Sequence, residues 1–270
     1  MTVLGIYREQ VFSPGKVNED AAILNRALEE LERQGVACRA VCPEELDRIS
    51  ARPRWVLSMA QSHPVLNMLE RWGSDGSCIV NSAQSIRNCY RRALLPILKQ
   101  AGLPLPESRL LPLQEVEQRA VRGESFLGCW LKRDDVHAMA PTDVVRIRSM
   151  EDLEKALQTF RQRGVGELLV QQHVEGREVK FYAVRSRYFS AFWMPGGTAV
   201  TEDLAPLPAL ADSAAAALGL DVYGGDAIVG PPGRLSLIDI NDWPSFSRCC
   251  SAAAGNIAGL MLSRLKGVPT

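Results

Sequence analysis

Short β-rich runs alternate with an amphipathic helix through the first 82 residues, and this pattern does most to narrow the possible folds. Val3-Leu4-Gly5-Ile6-Tyr7 reads as a strand. Ile23, Ala27, Leu28 and Leu31 recur at helical spacing within 19–34, and Gly35 closes that helix. Val36 to Val41 and Trp55 to Met59 read as two further strands, with Pro43 and Pro53 as punctuation. A strand–helix–strand rhythm of this kind implies a small α/β domain built on a parallel sheet, ending near Ile79-Val80-Asn81-Ser82.

Beyond it the pattern changes. A helix is expected from Ala83 to Ala101, closed by Gly102-Leu103-Pro104, with Pro96 kinking it or removing a hydrogen bond near Arg92. Strands follow at Leu127–Lys132 and Val144–Ile147, then a helix that starts on the capping-box-like Ser149-Met150-Glu151-Asp152 and runs to Arg163. Strands return at Glu167–His173, Glu178–Arg185 and Phe189–Trp193, followed by a loop from Met194 to Pro208 and a helix over Ala209–Leu218. Asp226–Val229 and Leu235–Asn241 flank Gly230-Pro231-Pro232-Gly233, a hairpin signal, and an Ala-rich helix spans Ala252 to Leu265.

Composition removes several function classes. The 270 residues carry 31 basic and 31 acidic side chains, a balance that argues against a bulk nucleic-acid or lipid binder. No stretch approaches the ~18 apolar residues of a membrane span. Met1 is not followed by a basic segment and an apolar run, so no secretory signal is expected and a cytoplasmic location is. The seven cysteines are scattered without a CxxC, and the three histidines lack metal-type spacing, so reduced, mostly buried thiols are expected.

The chemistry concentrates near the C-terminus. On the expected hairpin, Asp239 and Asn241 share one strand face, while Ile238 and Ile240 point into the core. A turn around Pro232-Gly233 sets Asp226, which follows Gly224-Gly225, nearly opposite Asp239. Two carboxylates and an amide on one patch are hard oxygen donors of the kind that suits Mg²⁺ with substrate phosphates. Two weaker signals precede them. Only six of the 31 basic residues are lysines, and one of them, Lys132, ends an apolar strand. The buried run Leu168-Leu169-Val170 leads into Gln171, Gln172, His173 and Val174, whose polar backbone edge could face a purine; Glu178 and Lys180 then share a strand face.

In this order along nearly the whole chain, these residues resemble the ATP-grasp superfamily. The resemblance implies an α/β and α+β chain: an N-terminal pre-ATP-grasp domain, 1–82, and an ATP-grasp domain, 83–270. The latter would comprise lobes at about 107–172 and about 173–270 that clamp ATP. Asn81-Ser82, the helix after it and Gly102-Leu103-Pro104 match the opening segment, with Arg91 where a phosphate-contacting lysine is usual. Lys132 matches the first-lobe lysine that reaches the phosphates. Gln171, Gln172, His173 and Val174 match the hinge that reads adenine, and Glu178 and Lys180 match the acidic and basic pair after it. Asp226, Asp239 and Asn241 match the ligands of Mg²⁺ (or Mn²⁺).

One departure stands out. Where a glycine-rich phosphate loop is common, this chain has Arg133-Asp134-Asp135-Val136-His137-Ala138; His137 would contact phosphate there, and the two carboxylates would repel it unless turned away or holding a cation. A loop of this sort, together with Ile238-Asp239-Ile240-Asn241, is also similar to the ATP-grasp inositol-polyphosphate kinases. The first 80 residues hold eleven acidic against nine basic side chains, without the basic cluster a polyphosphorylated ring needs. The expected activity is therefore ATP-dependent ligation of a small carboxylic acid to an amine or thiol, with Arg185 and Arg248 as catalytic-site arginines. A small-molecule kinase and a non-catalytic ATP-binding module are the alternatives. The expected partners are small molecules and a second copy of the chain, without nucleic acid or membrane.

Overall fold

The computed structural model describes residues 1–134, 141–201, 204–231 and 233–267. Strand β1 (Thr2–Ile6) leads to helix α1 (Val17–Arg33), β2 (Ala37–Val41), β3 (Trp55–Ser58), α2 (His63–Ser74) and β4 (Cys78–Val80). The four strands form a parallel sheet in the order β2-β1-β3-β4. Ile23, Leu24, Ala27, Leu28 and Leu31 form the buried stripe of α1, and Gly35 leaves the helix with φ +79°.

The single helix expected over 83–101 is two: α3 (Ala83–Asn88) and α4 (Arg91–Gln100). The break lies at Cys89-Tyr90, where the Ala93 and Leu94 amides both donate to the Tyr90 carbonyl. Pro96 sits inside α4 without ending it. This turn puts Arg91 at the first position of α4, where its side chain is buried rather than solvated.

Next come β5 (Ser108–Pro112), α5 (Leu113–Val121), β6 (Cys129–Arg133), β7 (Val144–Arg146), α6 (Met150–Gln162) and β8 (Glu167–Gln172). They make an antiparallel sheet in the order β5-β8-β6-β7, whose apolar face packs on α5 and α6 around Leu131, Phe126 and Phe160. Ser149 caps α6 through the Asp152 amide.

The last part holds β9 (Arg177–Val184), β10 (Tyr188–Trp193), β11 (Thr198–Ala199), α7 (Pro206–Leu218), β12 (Val222–Gly230), β13 (Arg234–Asp242) and α8 (Cys250–Leu265). The strands pair antiparallel as β11-β10-β9-β12-β13. One face, carrying Val179, Phe181, Tyr223, Ala227, Leu237 and Ile240, is covered by α7 and α4. The other carries Tyr182, Val184 and Val222 under α8, which in turn packs on α1 of the parallel sheet. Its remaining end stays open toward β6. No described helix is long and apolar enough to cross a membrane.

Buried polar contacts lock these parts together. The Asn81 side chain accepts from the Asp221 and Val222 amides at 2.8 and 3.0 Å and donates to the Val222 carbonyl at 2.6 Å. The Trp243 indole donates to the Val80 carbonyl at 3.2 Å, and Arg8 donates to the Trp243 carbonyl. The chain is equally tight at Gly225, where a Cβ would stand 2.4 Å from the Asp239 carbonyl and 2.5 Å from the Phe181 ring. Gly225→Ala is therefore expected to lower stability by about 3 kcal/mol, as severe overpacking does. Denaturant melts of the two proteins measure it, and equal midpoints would contradict the packing described.

Candidate active site

The open end of the large sheet faces the inner side of β6 across a cavity of about 350 Å³, within the range of small-ligand pockets. Strand alternation supplies its upper wall. Cys129 and Leu131 enter the core of the β5-β8-β6-β7 sheet, so Trp130 and Lys132 face the cavity. Gln171, Gln172, His173 and Val174 line it where the chain leaves β8. The Trp130 indole donates to His173 Nδ1 at 3.1 Å, and His173 Nε2 lies 3.0 Å from the Glu175 carboxylate, which fixes the ring where the chain leaves β8. Gln171 donates to the Ser108 hydroxyl at 3.2 Å.

The floor comes from the large sheet. Register sets Lys180 opposite Asp226 and Asp226 opposite Asp239, so three charged side chains cross three neighbouring strands in one row. Glu178 and Ile228 occupy the next row. The pairing then shifts: Asp226 meets Asp239 but Ala227 meets Leu237, leaving Ile238 as the extra residue of a β-bulge. This corrects the expected alternation. Ile240 is in the core, but Ile238 lines the cavity beside Asp239, because a bulge turns two successive residues to one side.

Burial shapes the electrostatics. Burial drives the Lys132 ammonium down to about 8 despite the pull of Asp239; its Nζ lies 3.5 Å from the Ile238 carbonyl. Burial also pushes the Glu178 carboxyl up, with Asp226 adding to the effect. It works to lower Lys180 too, but Asp226 at 2.6 Å outweighs it and holds that ammonium above its ordinary value. Arg91, 3% exposed, donates to the Arg133 carbonyl at 3.0 Å and pairs with Asp239 at 3.3 Å.

The arginine after it settles one concern about the atypical loop. Asp134 is turned away from the cavity: Arg92 holds its carboxylate at 2.7 Å, and the Arg92 amide donates to its carbonyl at 3.3 Å. Asp135 and His137 lie outside the described residues.

No family model matches the sequence, and no curated protein matches it. Solved structures do. A RimK-domain ATP-grasp protein from Sphaerobacter thermophilus superposes with a TM-score of 0.71 at 21% identity, over 96% of this chain and 99% of that one. The D-alanine-D-alanine ligase from Coxiella burnetii gives 0.73 at 13% identity, over 99% and 96%. The ATP-grasp ligase PsnB, in a complex with a minimal precursor, Mg and ADP, gives 0.68 at 16% identity, over 98% of each chain. The chain has the ATP-grasp fold.

Within this ATP-grasp fold the cavity gathers Arg91, Lys132, Gln171, Gln172, His173, Val174, Glu178, Asp226 and Asp239, and Lys180 joins through its ion pair with Asp226. Asn241 lies two residues along the Asp239 face, opposite Gly224, and is not part of the cavity wall. Arg248 lies against Gly197, with its guanidinium 6.0 Å from the Phe192 ring; Phe192 pairs with Lys180 at the far end of the charged row.

Arg185 is a correction. It follows the end of β9, roughly 16 Å beyond Lys180 and on the opposite side by strand alternation. There it is 3.7 Å from Asp221 and 3.3 Å from the Ala215 carbonyl, which anchors α7. Trp130, Val144, Ile228 and Ile238 line the cavity without having been singled out from the sequence. Two of them were within reach of alternation, since Trp130 is two residues from Lys132 and Ile228 two from Asp226.

A titration follows from Lys132. With its pKa near 8 in the free protein, a polyphosphate binding beside it must raise that value and draw in a proton. Calorimetry of ADP binding at pH 8 in buffers of different ionisation enthalpy is expected to show uptake of about half a proton per site. Proton release would contradict a polyphosphate bound beside Lys132.

Proposed function

We propose that the protein is a Mg²⁺-dependent ligase that uses ATP to activate a small carboxylic acid as an acyl phosphate and joins it to an amine or thiol. The observation that carries this reading is the charged row Lys180–Asp226–Asp239, lying below Lys132 and Arg91 in a cavity bounded by the hinge 171–174. In this reading residues 1–82 precede two lobes, about 107–172 and about 173–270, that close on the nucleotide. The hinge backbone reads adenine, Glu178 takes the ribose, and Lys132 and Arg91 take the phosphates.

Asp226, Asp239 and Asn241 would hold the metal. Among the described residues no three His, Cys, Asp or Glu side chains converge as a self-sufficient metal site. Two carboxylates and an amide oxygen fit a hard cation whose remaining ligands are phosphate and water. Bound there, magnesium would shield the phosphate oxygens and align the γ-phosphoryl group. A carboxylate oxygen of the acid attacks the γ-phosphorus, and the bond to the β–γ bridging oxygen breaks to release ADP. The amine then attacks the acyl carbon and phosphate leaves. Lys132 and Lys180 offset the charge that develops on the phosphoryl group, where fixed cations act most strongly.

Arg248 is assigned to the acceptor, since it makes no ion pair among the described residues and extends over Phe192 beside Lys180. Arg185 and Arg187 are engaged elsewhere, by Asp221 and by Ser263. One available arginine suits one carboxylate better than a polyphosphorylated ring. All seven cysteines are free thiols, as suits the reducing cytoplasm in which we place the protein.

The test is trapping. Incubation with ATP, Mg²⁺, hydroxylamine and pools of small carboxylic acids is expected to yield a hydroxamate with stoichiometric ADP. No ADP above an enzyme-free control, or a phosphorylated alcohol in place of a hydroxamate from mixed pools, would contradict ligation.

A further inference from the structure

The two carboxylates on the cavity floor are already matched by cations of the chain. Lys180 Nζ lies 2.6 Å from Asp226, and the Arg91 guanidinium lies 3.3 Å from Asp239. Around the cavity the described residues place three carboxylates, Glu178, Asp226 and Asp239, against three cations, Lys132, Lys180 and Arg91. The floor is thus electrically balanced before any ligand arrives. These contacts lie in a partly buried setting, with the side chains of Arg91 and Asp226 only 4% and 16% exposed, where solvent screens them little.

Resting on the nucleotide reading above, we propose that Lys180 and Arg91 are built-in counter-cations that keep Asp226 and Asp239 from gripping a divalent metal until a nucleotide is present, so that metal and nucleotide bind as one interdependent unit. A bare divalent cation meets two carboxylates that are already paired, and two positive charges at contact distance from them. A bare nucleotide meets three carboxylates. Arriving together, phosphate oxygens give Lys180 and Arg91 new partners, and the carboxylates are released to the metal. Arg91 and Lys180 approach the row from different elements, α4 and β9, so both ends of the Asp226–Asp239 pair are guarded.

Manganese binding, read by the electron paramagnetic resonance of free Mn²⁺ on the full chain, tests this without any turnover. Wild-type protein is expected to bind bare Mn²⁺ at least about tenfold more weakly than it binds Mn²⁺ with saturating ADP, after correction for Mn²⁺–ADP in solution. Lys180→Gln is expected to tighten bare Mn²⁺ binding about tenfold and to shrink the metal–nucleotide coupling at least as much, since losing a phosphate partner does not tighten Mn²⁺ binding in the presence of ADP. Lys180→Arg, which keeps the cation, retains wild-type behaviour. Bare Mn²⁺ bound by wild type as tightly as with ADP overturns the proposal whatever the variants do, and so does unchanged or weaker bare binding in Lys180→Gln. Absence of binding even with ADP would instead overturn the nucleotide reading itself, so the two failures are distinguishable.

Discussion

Replacing Lys132 with methionine is expected to cut ADP formation by a factor of about 10²–10³ and to leave the protein at least as stable as before. Both effects have one cause. The Lys132 ammonium is enclosed between the sheets, where burial lowers it from 10.5 to about 8. Holding that charge costs the folded state roughly 3 kcal/mol, because each pKa unit corresponds to about 1.4 kcal/mol. The unfolded chain binds the proton more tightly, so the cost is present in full below about pH 8. It fades as pH rises toward 10.5, and stability rises across that window. Methionine fills similar volume without the charge. The difference in unfolding free energy between variant and wild type should therefore favour the variant at pH 7 and close by pH 10.5. A variant that is inactive because it is unfolded, or one that is fully active, would remove Lys132 from the proposed chemistry.

Asp239→Asn is expected to lose activity by about 10³ but, unlike the lysine variant, to lose stability as well. Arg91 is 3% exposed, and the carboxylate of Asp239 at 3.3 Å is part of what compensates its burial. Taking the charge from one partner leaves the other enclosed with less compensation, at a cost of about 2 kcal/mol, less than the ~3–5 kcal/mol of a fully broken buried pair because an amide oxygen can still accept from Arg91. Adding Arg91→Met to Asp239→Asn should recover much of that stability and none of the activity. Thermal melts of the single and double variants, alongside ADP assays, separate the two roles. A double variant less stable than Asp239→Asn alone would mean that the contact of Arg91 with the Arg133 carbonyl outweighs its pairing with Asp239.

The two variants thus differ in sign on stability while agreeing on activity. Such opposition is what a site built for charge rather than for stability should display. Four ionisable groups, Lys132, Glu178, Lys180 and Asp226, are held away from their ordinary titration by burial and by one another. Asp226 is raised chiefly by burial, with Lys180 pulling against it.

Much of this was legible from local pattern. The alternation of strands and an amphipathic helix implied the parallel sheet, though not its strand order, which is β2-β1-β3-β4. The hairpin pattern implied Asp226 opposite Asp239, which is the observed register. What local pattern could not supply came from tertiary packing. Nothing in Leu237-Ile238-Asp239 announces a bulge; it arises where β12 and β13 shift register, and it alone brings Ile238 to the cavity. The break at Cys89-Tyr90 is likewise set by what surrounds it, since Tyr90 donates to the Gln61 carbonyl at 2.7 Å and Arg91 reaches Asp239 across the chain. Pro96, the obvious breaker, costs only the bond to Arg92, which a helix can spare. Arg185, expected at the catalytic site, shows the converse: strand parity and length carry it to Asp221.

The reaction itself can be read in one ³¹P NMR spectrum of the protein with ATP, Mg²⁺, a pool of small carboxylic acids and hydroxylamine. Carboxylate activation through an acyl phosphate predicts ADP and inorganic phosphate growing in equal amounts, and only when an acid is present. AMP with pyrophosphate, or a new phosphomonoester resonance in place of inorganic phosphate, would contradict it.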